Sequence, residues 1–134
     1  NIAEAEAKTA HHTALTLNIA ANYGGRWDIA QAAAKLAENV QAGLMQVSDI
    51  NENTLGEAIQ LHEQPELDLL IRTGGDLRIS NFLLWQAAYA ELYFTPLLWP
   101  DFRKPHLLEA IIDFQQRERR FGKTGKQIQQ EEKV

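Results

Sequence analysis

The chain has 134 residues, 45% hydrophobic and 23% charged, with a formal net charge of −5 and no cysteine. That is the composition of one soluble domain whose core buries roughly two thirds of the unfolded surface. The acidic balance excludes general nucleic-acid binding, which needs a basic face for phosphates. The lack of cysteine excludes disulfides and thiolate metal sites, and no stretch reads as a signal peptide or has transmembrane length.

In chain order, Asn1 to Thr9 is rich in Ala and Glu and reads as a helix already under way, as in a fragment with an upstream half missing. Leu15 to Ala21 (LTLNIAA) reads as a central strand, and Asn22 to Arg26 as a Gly-Gly turn ending in arginine. A helix is expected from about Trp27 to Gln41, with Ile29, Ala33, Leu36, Ala37 and Val40 on its apolar face and Gly43 as its stop. Ser48 or Asn51 begins a shorter helix with Leu55, Ala58, Ile59 and Leu61, and Pro65 ends it. Leu67 to Ile71 is a buried strand, a further amphipathic helix starts at Asn81, and Leu92 to Thr95 is a short strand. Pro105 opens a last helix to about Phe121, with Leu107, Leu108, Ile111, Ile112 and Phe114 as its apolar face, before a polar tail. Strands separated by helices predict an α/β fold: a parallel sheet flanked by helices.

The stretch with the most chemistry runs from Asp68 to Glu91. Arg72, Thr73, Gly74 and Gly75 follow the buried strand, then Arg78 and Ser80, all within nine residues. Ligands of open α/β sheets bind beyond the carboxyl ends of the strands. An arginine fork matches phosphate oxygens two at a time. Glycines let backbone N–H groups approach a ligand, and a hydroxyl at a helix start adds the positive end of the dipole. Taken singly, each feature is a turn, a cap or a solvated cation; together they stand about evenly between that reading and an anion site.

Glu91 interrupts the apolar run AAYAELYF, as either the buried partner of an arginine or an oxygen ligand for a cation such as Mg²⁺. His11, His12, His62 and His106 show no metal spacing and read as surface or capping residues. Arg117, Arg119, Arg120, Lys123 and Lys126 form a basic cluster, either a solvated helix end or a group reaching a phosphate.

LNIAANYGGRWDI from Leu17, IRTGGDLRISNFLLWQ from Ile71, AELYFTPLLWPDF from Ala90 and RERRFG from Arg117 resemble the cis-prenyltransferases, most closely the bacterial undecaprenyl diphosphate synthases. The resemblance runs from about Leu15 to Gly122 and covers the family's C-terminal half. It implies that residues 1–122 are the C-terminal part of one such domain, with residues 123–134 a flexible tail. The family's catalytic aspartate lies in the other half, so no catalytic residue is expected in this chain, which alone would be inactive. Arg72, Arg78, Ile79 and Ser80 match the positions that hold isopentenyl diphosphate, and Glu91 matches a Mg²⁺ ligand. Arg120 and Gly122 match an Arg-x-Gly element that reaches the isopentenyl diphosphate site across a homodimer. Leu77 stands where some members carry a histidine near the metal, and leucine cannot coordinate.

The implied activity is Mg²⁺-dependent condensation of isopentenyl diphosphate with farnesyl diphosphate in cis. The product would be a long polyprenyl diphosphate carrier for peptidoglycan and cell-wall synthesis. Such an enzyme would be cytoplasmic, with loose peripheral contact at the inner membrane face through its lipid product. Leu15 and Leu17 are either ordinary core residues or part of the product tunnel's floor. One alternative is the non-catalytic subunit of a heterodimeric cis-prenyltransferase, against which the intact Arg72, Arg78, Ser80 and Glu91 argue. The other is an unrelated nucleotide-binding module, disfavoured because neither Gly-Gly turn continues into a dinucleotide or Walker pattern.

Overall fold

The structure, a computed structural model, describes residues 1–117. Four α-helices and two strands follow in the order α1 (Ile2–Thr9), α2 (Gly25–Gln41), α3 (Glu52–Ala58), β1 (Leu69–Arg72), β2 (Glu91–Phe94) and α4 (Lys104–Gln115). β1 and β2 pair in parallel, with Leu69 opposite Glu91 and Arg72 opposite Phe94. The α/β class and the parallel sheet are as expected, with two strands among the described residues.

Helix boundaries follow local chemistry. Gly43 takes φ +71 just past α2, a left-handed stop that a Cβ would disfavour. Asn51 caps α3, its side chain accepting from the N–H groups of Asn53 and Thr54. Pro105 stands in the first turn of α4, where its missing N–H costs nothing, and His106 Nδ1 accepts from the Arg103 N–H at 3.0 Å, a capping role as expected.

The buried stripe of α2 is Gly25, Asp28, Ala32 and Leu36. This corrects the expected face, since Ala33 and Ala37 are exposed and the stripe takes in a carboxylate. On α4 the buried residue is Ala110, whereas Leu107, Leu108 and Ile112 of the expected apolar face are exposed. The core gathers Ala32, Leu36, Ile59, Leu70, Ala87 and Ala110.

Two expected elements do not form. Leu15 to Ala21 takes neither helix nor strand, no backbone hydrogen bond among the described residues joins it to a strand, and Leu15, Leu17 and Ile19 are exposed. Core packing for Leu15 and Leu17 is thereby overturned among the described residues. The helix expected from Asn81 is instead a series of turns. Ser80 and Leu83 sit at φ +54 and +46, conformations that a right-handed helix cannot include.

Candidate functional site

β1 ends at Arg72, and the Gly-Gly turn follows with φ +91 at Gly74 and +82 at Gly75. Glycine is suited to both positions. The turn's amides are occupied, however: Gly74 N–H donates to the Leu97 carbonyl at 2.7 Å and Gly75 N–H to that of Thr95 at 3.0 Å. The glycines therefore fasten this turn to the segment after β2 and do not offer their N–H groups to a ligand, as the residue types alone suggest they would.

Arg72, Arg78 and Ser80 do come together. Arg72 Nη1 donates to Ser80 Oγ at 2.8 Å and also to the Arg78 carbonyl oxygen. Arg72 Nη2 donates to Asp76 Oδ2 at 2.6 Å, and Arg78 Nη2 reaches the same oxygen at 2.8 Å. Two guanidinium groups thus converge on one carboxylate oxygen, leaving one net positive charge. The Arg72 side chain is 23% exposed and held by three acceptors, whereas that of Arg78 is 66% exposed and held by one carboxylate oxygen. Ile79 is half-buried, and Leu77 is exposed and brings no donor.

Ser80 does not begin a helix, so its hydroxyl faces Arg72 without a helix dipole behind it. Asp76 escaped the sequence reading because it follows the glycines as an ordinary turn residue.

Glu91 lies apart from this group. It opens β2 opposite Leu69, three register positions or roughly 10 Å along the strand from Arg72. Its carboxylate accepts from Arg117 Nη1 at 3.0 Å, and Arg117 Nη2 reaches Asp113 Oδ2 at 2.5 Å. The hydrogen bond to Glu91 raises the Arg117 pKa, working against partial desolvation, with Asp113 adding to it. Of the two residue-level readings of Glu91, pairing with an arginine is the one observed. Among the described residues no group of three or more His, Asp or Glu is arranged to hold a metal ion. Arg119, Arg120, Gly122, Lys123 and Lys126 lie outside the described residues.

The first Gly-Gly turn serves as a mount. Asp28 is buried and accepts from Tyr23 Oη at 2.8 Å, from the Gln60 N–H at 3.0 Å and from Gln86 Nε2 at 3.4 Å. Burial, then the neighbouring Asp28, push the Tyr23 hydroxyl up to about 12. The residues after Ser80 dock on this turn through Asn81. Separately, Leu15, Leu17, Tyr23, Ile59, Phe82 and Tyr89 line a broad concave apolar face that includes neither Arg72, Arg78 nor Glu91.

Residues 1–122 match the protein family described as "Putative undecaprenyl diphosphate synthase". Over 123 residues the chain is 61% identical to the ditrans,polycis-undecaprenyl-diphosphate synthase ((2E,6E)-farnesyl-diphosphate specific) of Salmonella typhimurium, covering 92% of this chain and 49% of that protein. A protein of the same name from Vibrio cholerae is 55% identical over 127 residues, or 95% of this chain and 51% of the relative. Among solved structures, lavandulyl diphosphate synthase from Lavandula x intermedia, in complex with dimethylallyl diphosphate, superposes with a TM-score of 0.84 at 39% identity. That match covers 91% of this chain and 52% of the lavender chain. A probable undecaprenyl diphosphate synthase from Campylobacter jejuni gives a TM-score of 0.73 at 40% identity, covering 91% and 54%. The chain spans about half the length of the curated relatives it matches. With the long motifs, the parallel sheet and these matches in agreement, the chain belongs to the undecaprenyl diphosphate synthase family of cis-prenyltransferases.

Proposed function

We propose that this chain supplies the isopentenyl diphosphate-binding half of a cis-prenyltransferase that extends farnesyl diphosphate into a long polyprenyl diphosphate. The observation that carries the reading is the convergence of Arg72, Arg78 and the Ser80 hydroxyl within one short segment at the carboxyl end of β1. Two arginine forks suit a diphosphate, whose oxygens accept bidentate bonds. The relatives' names, which specify undecaprenyl diphosphate and farnesyl diphosphate, support the substrate class.

In this reading Arg72 fixes the diphosphate of isopentenyl diphosphate and the Ser80 hydroxyl, which accepts from Arg72, donates to an oxygen at its edge. Arg78 exchanges its bond to Asp76 for a phosphate oxygen. Their contribution is positional: the acceptor's terminal double bond is held toward the allylic carbon. Its C4 forms the new carbon–carbon bond as the allylic carbon–oxygen bond breaks, pyrophosphate departs, and a proton is lost to leave a cis double bond. The concave face with Leu15, Leu17 and Phe82 suits the growing hydrocarbon.

In this reading Glu91, whose Oε2 accepts from Arg117, would offer its other carboxylate oxygen to Mg²⁺ as one donor. Magnesium commonly takes one or two carboxylates and completes its octahedron with substrate phosphates and water. When bound, the ion would stabilise negative charge developing on the diphosphate oxygens. Pairing of two copies, with Arg120 and Gly122 reaching the partner's site, and loose contact with a membrane surface through the product belong to the same reading. No helix among the described residues is long and apolar enough to cross a membrane.

The test is incorporation of labelled isopentenyl diphosphate into butanol-extractable product, with farnesyl diphosphate and Mg²⁺, in the full-length protein. Incorporation abolished by EDTA and by Arg72→Ala supports the transferase. A folded full-length protein that incorporates nothing overturns it in favour of a non-catalytic subunit.

A further inference from the structure

The amino terminus of α2 and the arginine pocket meet at one residue. The Asn81 carbonyl oxygen accepts from the Gly25 N–H at 2.8 Å, and its side-chain Oδ1 accepts from the Arg26 N–H at 2.9 Å. A helix leaves the amides of its first turn without partners inside the helix. Here two of them are satisfied from outside, in the case of Arg26 by a residue 55 positions further along the chain.

The contact is too close for side chains. A Cβ at Gly24 would lie 2.8 Å from Asn81 Nδ2, and one at Gly25 would lie 2.9 Å from the backbone nitrogen of Leu84. Gly25 is thus required by the docking of the 81–84 segment, and a side chain at Gly24 would push the Asn81 amide aside, which gives the first Gly-Gly turn its physical purpose. The same contacts argue that the α2 amino terminus is not itself an anion site, because these two N–H groups are already engaged.

Immediately before Asn81 stands Ser80, whose backbone is left-handed at φ +54. A non-glycine residue holds that conformation only where its surroundings impose it. On one side Arg72 grips the Ser80 hydroxyl and the Arg78 carbonyl. On the other side Asn81 is pinned to α2. The segment is therefore clamped at both ends, and Asn81 is the clamp that lies outside the pocket.

We propose that Asn81 is a positioning residue for the acceptor diphosphate: by capping α2 from a distance, it fixes the backbone turn that aims the Ser80 hydroxyl and Arg78. Asn81 touches no substrate in this role. The inference rests on the reading of Arg72, Arg78 and Ser80 as the diphosphate site.

The experiment compares full-length wild type, Asn81→Ala and Asn81→Asp. Kinetics are measured for each substrate separately, and calorimetry follows binding of isopentenyl diphosphate and of inorganic pyrophosphate. Asn81→Ala removes the acceptor for the Arg26 amide and is expected to raise KM for isopentenyl diphosphate about tenfold, with kcat and the KM for farnesyl diphosphate within about twofold. Asn81→Asp keeps an oxygen in the Oδ1 position at a helix amino terminus, where a carboxylate is favoured. It is expected to recover most of the lost affinity. If Asn81→Ala does not fold, Gly24→Ala takes its place, because its methyl displaces Asn81 without entering the pocket; the same rise in KM is expected.

An unchanged KM in Asn81→Ala overturns the proposal. So does a uniform loss in kcat and both KM values, which would mark a purely structural role, and so does an Asn81→Asp variant no better than alanine. A wild-type protein that neither binds nor consumes isopentenyl diphosphate overturns the diphosphate reading and this role with it. Normal wild-type binding with an indifferent Asn81 overturns this role alone.

Discussion

At the scale of single residues, Arg72 and Arg78 are the same residue type in different situations. Arg72 uses both terminal nitrogens, on Ser80, the Arg78 carbonyl and Asp76, whereas Arg78 makes one bond to Asp76. Arg72→Ala should therefore raise KM for isopentenyl diphosphate by about 10- to 100-fold and lower kcat, the loss expected for one or two charge-assisted bonds. Arg72→Lys should not rescue it, because an ammonium cannot span the fork, while Arg78→Lys should keep most of the affinity. Steady-state kinetics on the four variants, with Arg78→Ala as the fourth, checks this; equal behaviour of the two lysine variants would refute it. Tyr23 gives a pH prediction. Its folded pKa of about 12 lies above the ordinary 10.0, so the neutral hydroxyl is the form the fold favours. The stability it adds is complete below pH 10 and is lost as pH rises through 10 toward 12. Thermal melts should show the margin of wild type over Tyr23→Phe shrinking across that window, and a margin that is constant or grows would contradict the assignment. The two arginines and Ser80 could be found in the sequence because few residue types do their work. The role of Asp76 and the occupied glycine amides could not, because they depend on which partner a flexible turn meets.

At the scale of elements, those with their own stop and start chemistry were legible, and those defined by a docking partner were not. Asn51, Gly43 and Pro105 mark helix ends by interactions within a few residues of themselves. The expected helix after Ser80 fails because Arg72 takes the hydroxyl that would have capped it, and because Asn81 is drawn to α2. Glycine substitutions separate the two kinds of constraint. Gly25→Ala places a methyl 2.9 Å from the Leu84 backbone nitrogen, where something must shift, and should destabilise by about 1–3 kcal/mol. Gly56 lies within α3, and an added Cβ there meets Trp85 Nε1 at an ordinary 3.6 Å. Gly56→Ala should therefore stabilise by about 0.5–1 kcal/mol through helix propensity. Urea unfolding of both variants reads the opposite signs directly, and a stabilised Gly25→Ala would remove the close docking of 81–84 on α2.

At the scale of the whole molecule, the largest departure from expectation is Leu15 to Ala21. Its mostly apolar run, LTLNIAA, reads as a central strand. A strand, however, is made by the chain that pairs with it, and a sequence pattern does not name that chain. Among the described residues the segment stays unpaired, its three aliphatic residues 78–82% exposed where they line the concave apolar face. β1 and β2, by contrast, hold each other in register, with backbone bonds continuing on either side, from Glu91 N–H to the Asp68 carbonyl and from Thr95 N–H to that of Arg72. Local opening free energy follows such pairing and burial. In the 134-residue chain, amides of residues 15–21 should exchange with solvent at least roughly a hundredfold faster than those buried between β1 and β2, a gap of about 3 kcal/mol in opening free energy. Hydrogen exchange read by mass spectrometry over peptides spanning 13–22 and 67–73 measures the two rates in one sample. Equal protection would mean that Leu15 to Ala21 is a paired strand in this chain, as its apolar run predicts. Fast exchange at 15–21 beside slow exchange at β1 would place the boundary of the cooperative core between them, with the arginine pocket on its protected side.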